Sequence, residues 1–482
     1  MTLLLVLALL AVRAALVASR AFDALETDTL AALAARAPAH SAHSAYSPRG
    51  LVKRGGWFNY DEWKVRGVNL GGWLVLEPWI TPSLFDGKPD WVVDEWTYAE
   101  FTKDNRSELE RHWDTWITEQ DLRAIAGAGL NTVRIPVGYW SLIPLEDEPF
   151  HTGAYPYLQK AVQWARSSGL NVILDLHGAP GSQNGFDNSG RRDQRSWFQN
   201  QHNADRAVDA VLNLVREFTK PEYGGAVSAI QLLNEPFPHE DWELSFVKDF
   251  YTRAYRSVRE IDSDILVILH EAFRQLDTWR DAIPEAQRVA LDTHIYAMFT
   301  PSILSYGYVD NLRWSCGFAD TLPASPYWTI VGEFSLANTD CAPALNGRGR
   351  GARWDNTLSG AEKMKFPGNC AERTGPDPEK WSDSYKQQLS KSWQTQTWVY
   401  ERAKGWVYWT WRTEAAADWS LLTGLSHRFI PTPITALPDG QPCNFSSFIH
   451  NSRYARDEAA AARIKPSLLD VVALAALALL EL

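Results

Sequence analysis

The sequence predicts one (β/α)8 TIM barrel, an α/β fold, with long loop insertions at the C-terminal face. From about residue 57 to residue 445, short apolar, β-branched runs alternate with longer segments of helical periodicity. There are eight such runs in the 482-residue chain. The composition is ordinary for a globular protein, with 45% hydrophobic and 22% charged residues. One barrel accommodates this alternation better than two separate domains do.

The apolar runs are expected to be parallel strands that are buried on both faces. In chain order they are Val65 to Asn69, Thr132 to Pro136, Val172 to Leu176, Ile230 to Leu233, Ile265 to Leu269, Val289 to Asp292, Thr329 to Val331 and Trp406 to Trp409. Length and periodicity predict crossover helices at Glu119 to Ala126, Leu158 to Ser167, Ala204 to Phe218 and Phe246 to Ile261.

The charge and the aromatic content limit the classes of partner. The net charge of −11 argues against a nucleic-acid-binding protein. The chain has 23 Trp, and indole faces commonly pack against sugar rings, although most of these residues are needed to fill a large core. A carbohydrate partner is therefore worth testing against the motifs.

The chain ends predict export and processing. Residues 1–21 are predicted to be a signal peptide, and residues 22–54 a pro-segment that ends at the dibasic pair Lys53-Arg54. Residues 55–446 would form the catalytic domain, and residues 447–482 a C-terminal extension. The short apolar run Val471 to Leu480 could serve weak lipid or membrane anchoring, or belong to an amphipathic or disordered extension.

Cysteines and glycosylation acceptors agree with export. Cys316, Cys341, Cys370 and Cys443 lack the close spacing of a zinc site and suggest two disulfides, for which three connectivities are possible. The sequons at Asn105 and Asn444 are consistent with a secreted glycoprotein.

Polar side chains recur at or near the end of each predicted strand, where a barrel places its catalytic residues. They are Asn69, Arg134, His177, Asn234, Glu235, His270, Glu271, His294, Tyr296, Glu333 and Trp411. A single residue of this kind is usually a cap, but recurrence around the barrel predicts a shared site.

Glu235 and Glu333 end strands four and seven, which face each other across a barrel mouth. Two buried carboxylates are costly unless the site uses them, and glycoside hydrolysis needs such a pair. Two separate salt bridges to arginines are the alternative. A metal-dependent hydrolase using His177, His270, Glu271 and His294, and a non-catalytic wall-binding protein, are the other function classes. No metal or cofactor is expected.

Several motifs extend this pattern in order along the chain. They are residues 66–73 (RGVNLGGW), 76–79 (LEPW), 134–136 (RIP), 174–178 (LDLHG), 181–185 (GSQNG), 234–236 (NEP) and 332–334 (GEF). Between Trp57 and Phe445 the chain resembles glycoside hydrolase family 5 and, within it, the fungal exo-β-1,3-glucanases. The segment from Glu414 to Trp419 departs from that pattern. The resemblance therefore does not predict which contacts this segment makes at the rim of the site.

The resemblance implies roles for particular residues. Glu235 would be the general acid/base and Glu333 the nucleophile of a retaining mechanism. The substrate-binding residues would be Glu77, Arg134, His177, Phe186, Asn188, Asn234, His294, Tyr296, Phe299 and Trp411, with Trp411 as the apolar floor and the two phenylalanines at the entrance. It also implies nested disulfides, Cys316–Cys443 and Cys341–Cys370.

The function expected from this resemblance is a secreted, cell-wall enzyme that releases glucose from the non-reducing ends of β-1,3-glucan. It is expected to be a monomer. The long stretch from Glu333 to Trp411 would wall off one end of the groove and make the cut exo. If that stretch packs on the barrel's side, the cleft stays open. Transglycosylation, a β-1,6 preference or an endo mode on the same fold are the alternatives.

Overall fold

A closed barrel of parallel strands forms the centre of the molecule, as predicted. The computed structural model describes residues 24–37, 58–437 and 441–444. The strands are β1 (Val65–Asn69), β2 (Thr132–Gly138), β3 (Asn171–Gly178), β4 (Val227–Gln231), β5 (Leu266–His270), β6 (Val289–Ile295), β7 (Trp328–Phe334) and β8 (Gly405–Tyr408). The barrel closes where β1 pairs with β8, from Val65 opposite Gly405 to Val68 opposite Tyr408.

Helices surround the barrel, and the four predicted crossover helices are among them. Helix α1 spans residues 24–36. The others are α2 (Glu95–Phe101), α3 (Ser107–Thr115), α4 (Glu119–Gly127), α5 (Tyr155–Ser167), α6 (Gln201–Phe218), α7 (Asp241–Ile261), α8 (Pro301–Leu304), α9 (Tyr308–Cys316), α10 (Phe318–Thr321), α11 (Asp383–Tyr400) and α12 (Leu421–Ser426).

Seven of the eight strands end at positions other than those predicted, and the ends of β4, β6 and β7 matter most for the site. β4 stops at Gln231, so Glu235 lies in the following turn with a left-handed φ of 43°. β6 and β7 continue further, because their parallel pairing extends through His294 opposite Glu333 to Ile295 opposite Phe334. A register shift between Thr293 and His294 precedes that pair and re-aims the side chains beyond it.

Two layers of apolar packing fix the barrel. The larger lies between the strands and the helices, and the smaller fills the barrel itself with residues such as Ile173, Ile268 and Ile330. Phe58 and Tyr60, which precede β1, join the inner cluster. The strands that carry the site are therefore held from both faces.

The long connection between β7 and α11 has little regular structure. Cys341–Cys370 crosslinks it, and Cys316–Cys443 joins the end of α9 to the last described residues, with Cα–Cα distances of 5.1 and 5.8 Å. Both bonds have the pairing that the family resemblance implies.

Several expectations fall on residues outside the described ranges. These are the signal peptide, the Lys53-Arg54 cut, most of the Asn444 sequon and the apolar tail of the extension. Among the described residues, none of the helices has both the length and the apolar character needed to cross a membrane.

Four buried carboxyls predict that the fold is more stable in mild acid than in mild alkali. Burial raises the pKa of Glu95 and Glu271 to about 8 and of Asp187 and Asp418 to about 7. A raised folded pKa favours the native state below the unfolded pKa, and this advantage is lost as the pH rises through the folded value. We expect the unfolding midpoint to fall by roughly 5 °C between pH 5 and pH 8.

Asp418→Asn provides the matched variant, because one Asp418 oxygen accepts from Thr374 and the other has no partner among the described residues. The neutral amide should flatten the dependence of the midpoint on pH. Asp90→Asn, at an exposed position, should leave it unchanged. A midpoint higher at pH 8 than at pH 5 in the unaltered chain would contradict this account.

Candidate active site

A cavity of about 340 Å³ opens at the carboxyl ends of the strands. Both predicted catalytic carboxylates, Glu235 and Glu333, line it. Of the predicted substrate-binding residues, the cavity wall includes Glu77, Phe186, Asn188, His294, Tyr296 and Phe299. The residues at the strand ends thus converge on one chamber, as the prediction of a TIM barrel requires.

Glu333 is surrounded by groups that favour its anion. One carboxylate oxygen accepts from the Arg134 guanidinium at 3.0 Å, and the other accepts from the Tyr296 hydroxyl at 2.8 Å. His294 Nδ1 lies 3.4 Å from the second oxygen. A carboxylate held at both oxygens presents a fixed lone pair to the cavity, which is what an attacking nucleophile needs.

The backbone around Glu235 helps to position its side chain. Its left-handed φ turns the side chain into the cavity, and such strain persists only where neighbours enforce it. Gln183 Nε2 donates to the carbonyl of Asn234, and Asn184 Nδ2 donates to the carbonyl of Glu235. The 181–185 motif therefore stabilises the backbone segment that carries Glu235.

His294 lies between the carboxylates of Glu235 and Asp292. Its Nδ1 contacts Glu235 at 2.6 Å, and its Nε2 contacts Asp292 at 3.1 Å. Burial opposes a charge on His294, but the negative charges of Glu333 and Asp292 outweigh it and hold its pKa well above the usual value. Each nitrogen of His294 thus faces a carboxylate, which favours the imidazolium form.

Asp292 is a site residue that sequence reasoning missed. Its carboxylate also accepts from the Gly332 N–H at 2.6 Å and from Gln231 at 2.8 Å. A Cβ at position 332 would lie 2.1 Å from the Asp292 oxygen, so only glycine leaves room for this carboxylate beside Glu333. Asp292 fixes the orientation of His294 from beneath.

The protonation of the two catalytic carboxyls depends on His294. Burial disfavours both anions, but at Glu235 the hydrogen bond and charge of His294 outweigh burial and lower the pKa. At Glu333 burial outweighs the charges of His294 and Arg134 and raises the pKa. Glu235 is thus the more acidic of the two groups, so an acid role requires that a bound sugar weaken its contact with His294.

Arg134 and His177 are buried residues that do not line the cavity, and their contacts orient side chains of the site. Arg134 Nη2 donates to the Asn234 side-chain oxygen at 2.7 Å, which leaves Asn234 Nδ2 without a partner among the described residues. Asp175 contacts both Arg134, at 3.1 Å, and His177 Nδ1, at 2.7 Å. The unpaired Asn234 amide is a donor available to a sugar hydroxyl.

Trp411 does not form the floor of the cavity, so that expectation is wrong. Trp411 is fully buried and its Nε1 donates to Asp121 on α4 at 2.8 Å. Trp409 lines the cavity instead, and its ring stacks on His177 with centroids 5.5 Å apart and planes 9° apart. β8 ends at Tyr408, and the chain bends at Trp409 and Trp411, which separates the two indoles.

The insertion after β7 covers part of the cavity. Residues 345–361 supply a share of its wall, including Leu345, Arg350 and Leu358. Arg348 donates to four backbone carbonyls within residues 85–92, at 2.7 to 2.9 Å. The insertion is therefore fastened across the mouth rather than packed on the barrel's side.

Glu414, where the family pattern breaks, contacts protein rather than the cavity. Its carboxylate accepts from the Ser83 N–H at 2.8 Å and the Ser83 hydroxyl at 2.6 Å. This ties the loop after β8 to the loop after β1.

Glu235, His270 and His294 bring possible metal ligands within 4.8 Å of one another. Both His294 nitrogens already face carboxylates, and His270 Nδ1 accepts from the Ala272 N–H at 2.9 Å. Holding a metal here would break the His294 contacts that position Glu235. The donor set therefore suits proton transfer better than metal binding.

The sequence profile described as Cellulase (glycosyl hydrolase family 5) matches residues 97–414 of the chain. The chain belongs to glycosyl hydrolase family 5. As a family 5 protein it is a glycoside hydrolase, and the paired glutamates belong to the chemistry of such enzymes.

Named relatives of this family 5 chain are fungal. Glucan 1,3-beta-glucosidase 2 of Wickerhamomyces anomalus is 39% identical over 362 residues, which cover 73% of this chain and 84% of that protein. Glucan 1,3-beta-glucosidase of Blumeria graminis is 43% identical over 325 residues, covering 65% and 74%. The crystal structure of rutinosidase from Aspergillus niger shares the fold, with a TM-score of 0.61 at 18% identity, covering 77% of this chain and 99% of that one.

His294→Asn is expected to shift the pH profile of this family 5 enzyme to higher pH. The imidazolium lowers the pKa of both catalytic carboxyls, so its loss should raise both. Both limbs of the bell-shaped kcat/KM profile should then move up by about one pH unit. His202→Asn, at an exposed position on α6, is the control. Lower activity with an unmoved profile would show that His294 acts through position alone.

Proposed function

We propose that this protein is a secreted glucan 1,3-β-glucosidase that releases glucose from the non-reducing ends of β-1,3-glucan with retention of configuration. The names of its fungal relatives support the substrate class. The observation that carries the proposal is the placement of Glu235 and Glu333 beside the same nitrogen of His294, Nδ1, in a chamber covered by the insertion.

The spacing of the two carboxylates favours retention. His294 Nδ1 lies 2.6 Å from a Glu235 oxygen and 3.4 Å from a Glu333 oxygen. These oxygens can thus be at most about 6 Å apart, which is below the range of about 6.5 to 9.5 Å that an inverting enzyme needs for an intervening water. Glu333 can therefore reach the anomeric carbon directly.

The reaction follows from these positions as a double displacement. The Glu333 carboxylate attacks the anomeric carbon while Glu235 gives its proton to the departing glycosidic oxygen. Glu235, now a carboxylate, takes a proton from water, which attacks the same carbon and frees Glu333. Asn234 Nδ2 donates to the neighbouring hydroxyl, and Trp409 provides the apolar floor.

The covered chamber supports an exo mode of cleavage. The insertion contributes residues 345–361 to the wall, and Arg348 fastens it to the opposite loop. Phe186 and Phe299 are half-buried at the wall, where they suit the next sugar of the chain. A chamber closed at one end admits a chain terminus and excludes the middle of a polymer.

Export supplies the remaining part of the proposal. Two disulfides suit an oxidising compartment, and Asn105 lies exposed in the turn between α2 and α3. We place the enzyme outside the cell at the wall glucan, as a monomer, after removal of residues 1–54. Anchoring through the C-terminal extension remains the alternative to free secretion.

Product analysis on linear β-1,3-glucan tests the proposal, with the polymer labelled and reduced at its reducing end. Proton NMR should show β-glucose first, while the label stays on long chains. Early labelled oligosaccharides would indicate an endo mode, longer products would indicate transglycosylation, and faster glucose release from β-1,6-glucan would indicate the other linkage. α-Glucose as the first product would overturn retention.

A further inference from the structure

Helix α1, residues 24–36, lies against the outer wall of the barrel. Leu33 and Ala34 are 4% and 8% exposed and belong to the main core cluster, and Leu30 packs beside it. Ala31 and Ala32 face solvent. The helix thus buries one stripe at the three- and four-residue spacing of an amphipathic surface helix.

The barrel surface under α1 is shaped to receive it. A Cβ at Gly127, the last residue of α4, would lie 1.8 Å from the carbonyl oxygen of Leu33. Its three nearest atoms all belong to Leu33 and Ala37. Glycine weakens a helix relative to alanine, and Gly127 has no left-handed φ to require it. The close approach of α1 is therefore the reason that the structure gives for this glycine.

A second contact joins α1 to the other side of the barrel's closing seam. The Thr423 hydroxyl on α12 donates to the carboxylate of Glu26. α12 follows β8 and α4 precedes β2, so α1 spans the helices that flank the pairing of β8 with β1. It thereby connects the first and last parts of the catalytic domain.

We propose that residues 24–36 are an intramolecular clasp, meaning a helix that holds α4 and α12 together while it belongs to the same chain. The helix dissociates when the chain is cut after Arg54. The contact buries few side chains, and a helix of this length is marginal on its own in water. The covalent connection supplies a high effective concentration, which a cut removes. The segment would thus support closure of the precursor barrel and be absent from the processed enzyme.

The docking contact is tested in the full chain with Leu33→Asp, and Ala32→Asp on the exposed face is the matched control. Leu33→Asp should lower the unfolding midpoint by about 3 °C. It should also speed amide hydrogen exchange in residues 27–36 by about tenfold or more, because the undocked helix frays. Equal behaviour of the two variants would overturn the docking.

Gly127→Ala gives a test in which the sign changes on cutting. In the intact chain the new Cβ collides with Leu33, so the midpoint should fall. After a dibasic-specific protease cuts at Lys53-Arg54, the same change should leave the midpoint equal to or above that of the cut parent, because alanine favours α4. The cut fragment should separate from the barrel by size exclusion.

Size exclusion and the unfolding midpoint each give a result that could overturn the proposal, and neither measurement depends on catalysis. A fragment that co-elutes with the cut barrel would overturn release. A fall in midpoint from Gly127→Ala that is the same before and after the cut would show that the glycine serves another neighbour, and would overturn the clasp. Neither readout depends on glucan hydrolysis, so failure of the proposed function would leave them unchanged.

Discussion

Glu333→Gln is expected to lower kcat on the order of 10⁴-fold or more for every β-glucoside, whatever its leaving group. The amide cannot form the ester bond to the anomeric carbon, and in the proposed reaction Glu235 only moves protons. Initial rates on a laminari-oligosaccharide and on dinitrophenyl β-glucoside measure this. The two losses should be of similar size.

Glu414→Gln is the matched control, since it removes a carboxylate that contacts Ser83 rather than the cavity. It should retain nearly full activity. Azide added to Glu333→Ala should restore turnover and yield α-glucosyl azide, because the small anion enters from the face that Glu333 occupied. Substantial activity of Glu333→Gln on the activated glucoside would remove Glu333 from the nucleophile role.

The barrel and its two carboxylates were predictable because they follow from local patterns. Parallel strands buried on both faces produce continuous apolar runs, and Glu333 interrupts such a run at the mouth of the barrel. The ends of β4 and β6 were less predictable. Their limits depend on pairing with a neighbouring strand, as at the register shift before His294.

The choice between Trp409 and Trp411 was beyond the sequence. The two positions share the parity of an extended chain, so alternation places both indoles on one face. Bends at Trp409 and Trp411 separate them, and the backbone there is held by hydrogen bonds from the Thr410 N–H to Trp419 and from the Trp411 N–H to Asn69. Contacts this distant along the chain leave no local pattern.

Asp175 and Asp292 had a signal that could have revealed them. Each precedes a site histidine by two residues, His177 and His294, which places acid and imidazole on the same face of one strand. An acid within an otherwise apolar strand needs a buried partner. The contacts at 2.7 and 3.1 Å show that each histidine is that partner.

Glu235→Gln is expected to separate the two steps of the reaction. Glucan has a poor leaving group that needs protonation, so its hydrolysis should fall on the order of 10³-fold. Dinitrophenolate leaves without a proton, so the first step on the activated glucoside should be nearly unimpaired. The second step still lacks its base, and a burst of about one dinitrophenolate per enzyme should precede a slow steady state.

Azide assigns Glu235 by the configuration of the product. In Glu235→Ala, azide can attack the glucosyl ester on Glu333 from the face vacated by Glu235, without needing a base, and should give β-glucosyl azide. The opposite configurations from the two alanine variants would place the two carboxylates on opposite faces of the sugar. The ester itself, seen as added mass on a peptide that contains Glu333, would confirm the covalent step. If Glu235→Gln instead lost the burst together with glucan hydrolysis, Glu235 would be needed for attack rather than for proton transfer, and the two roles would have to be exchanged.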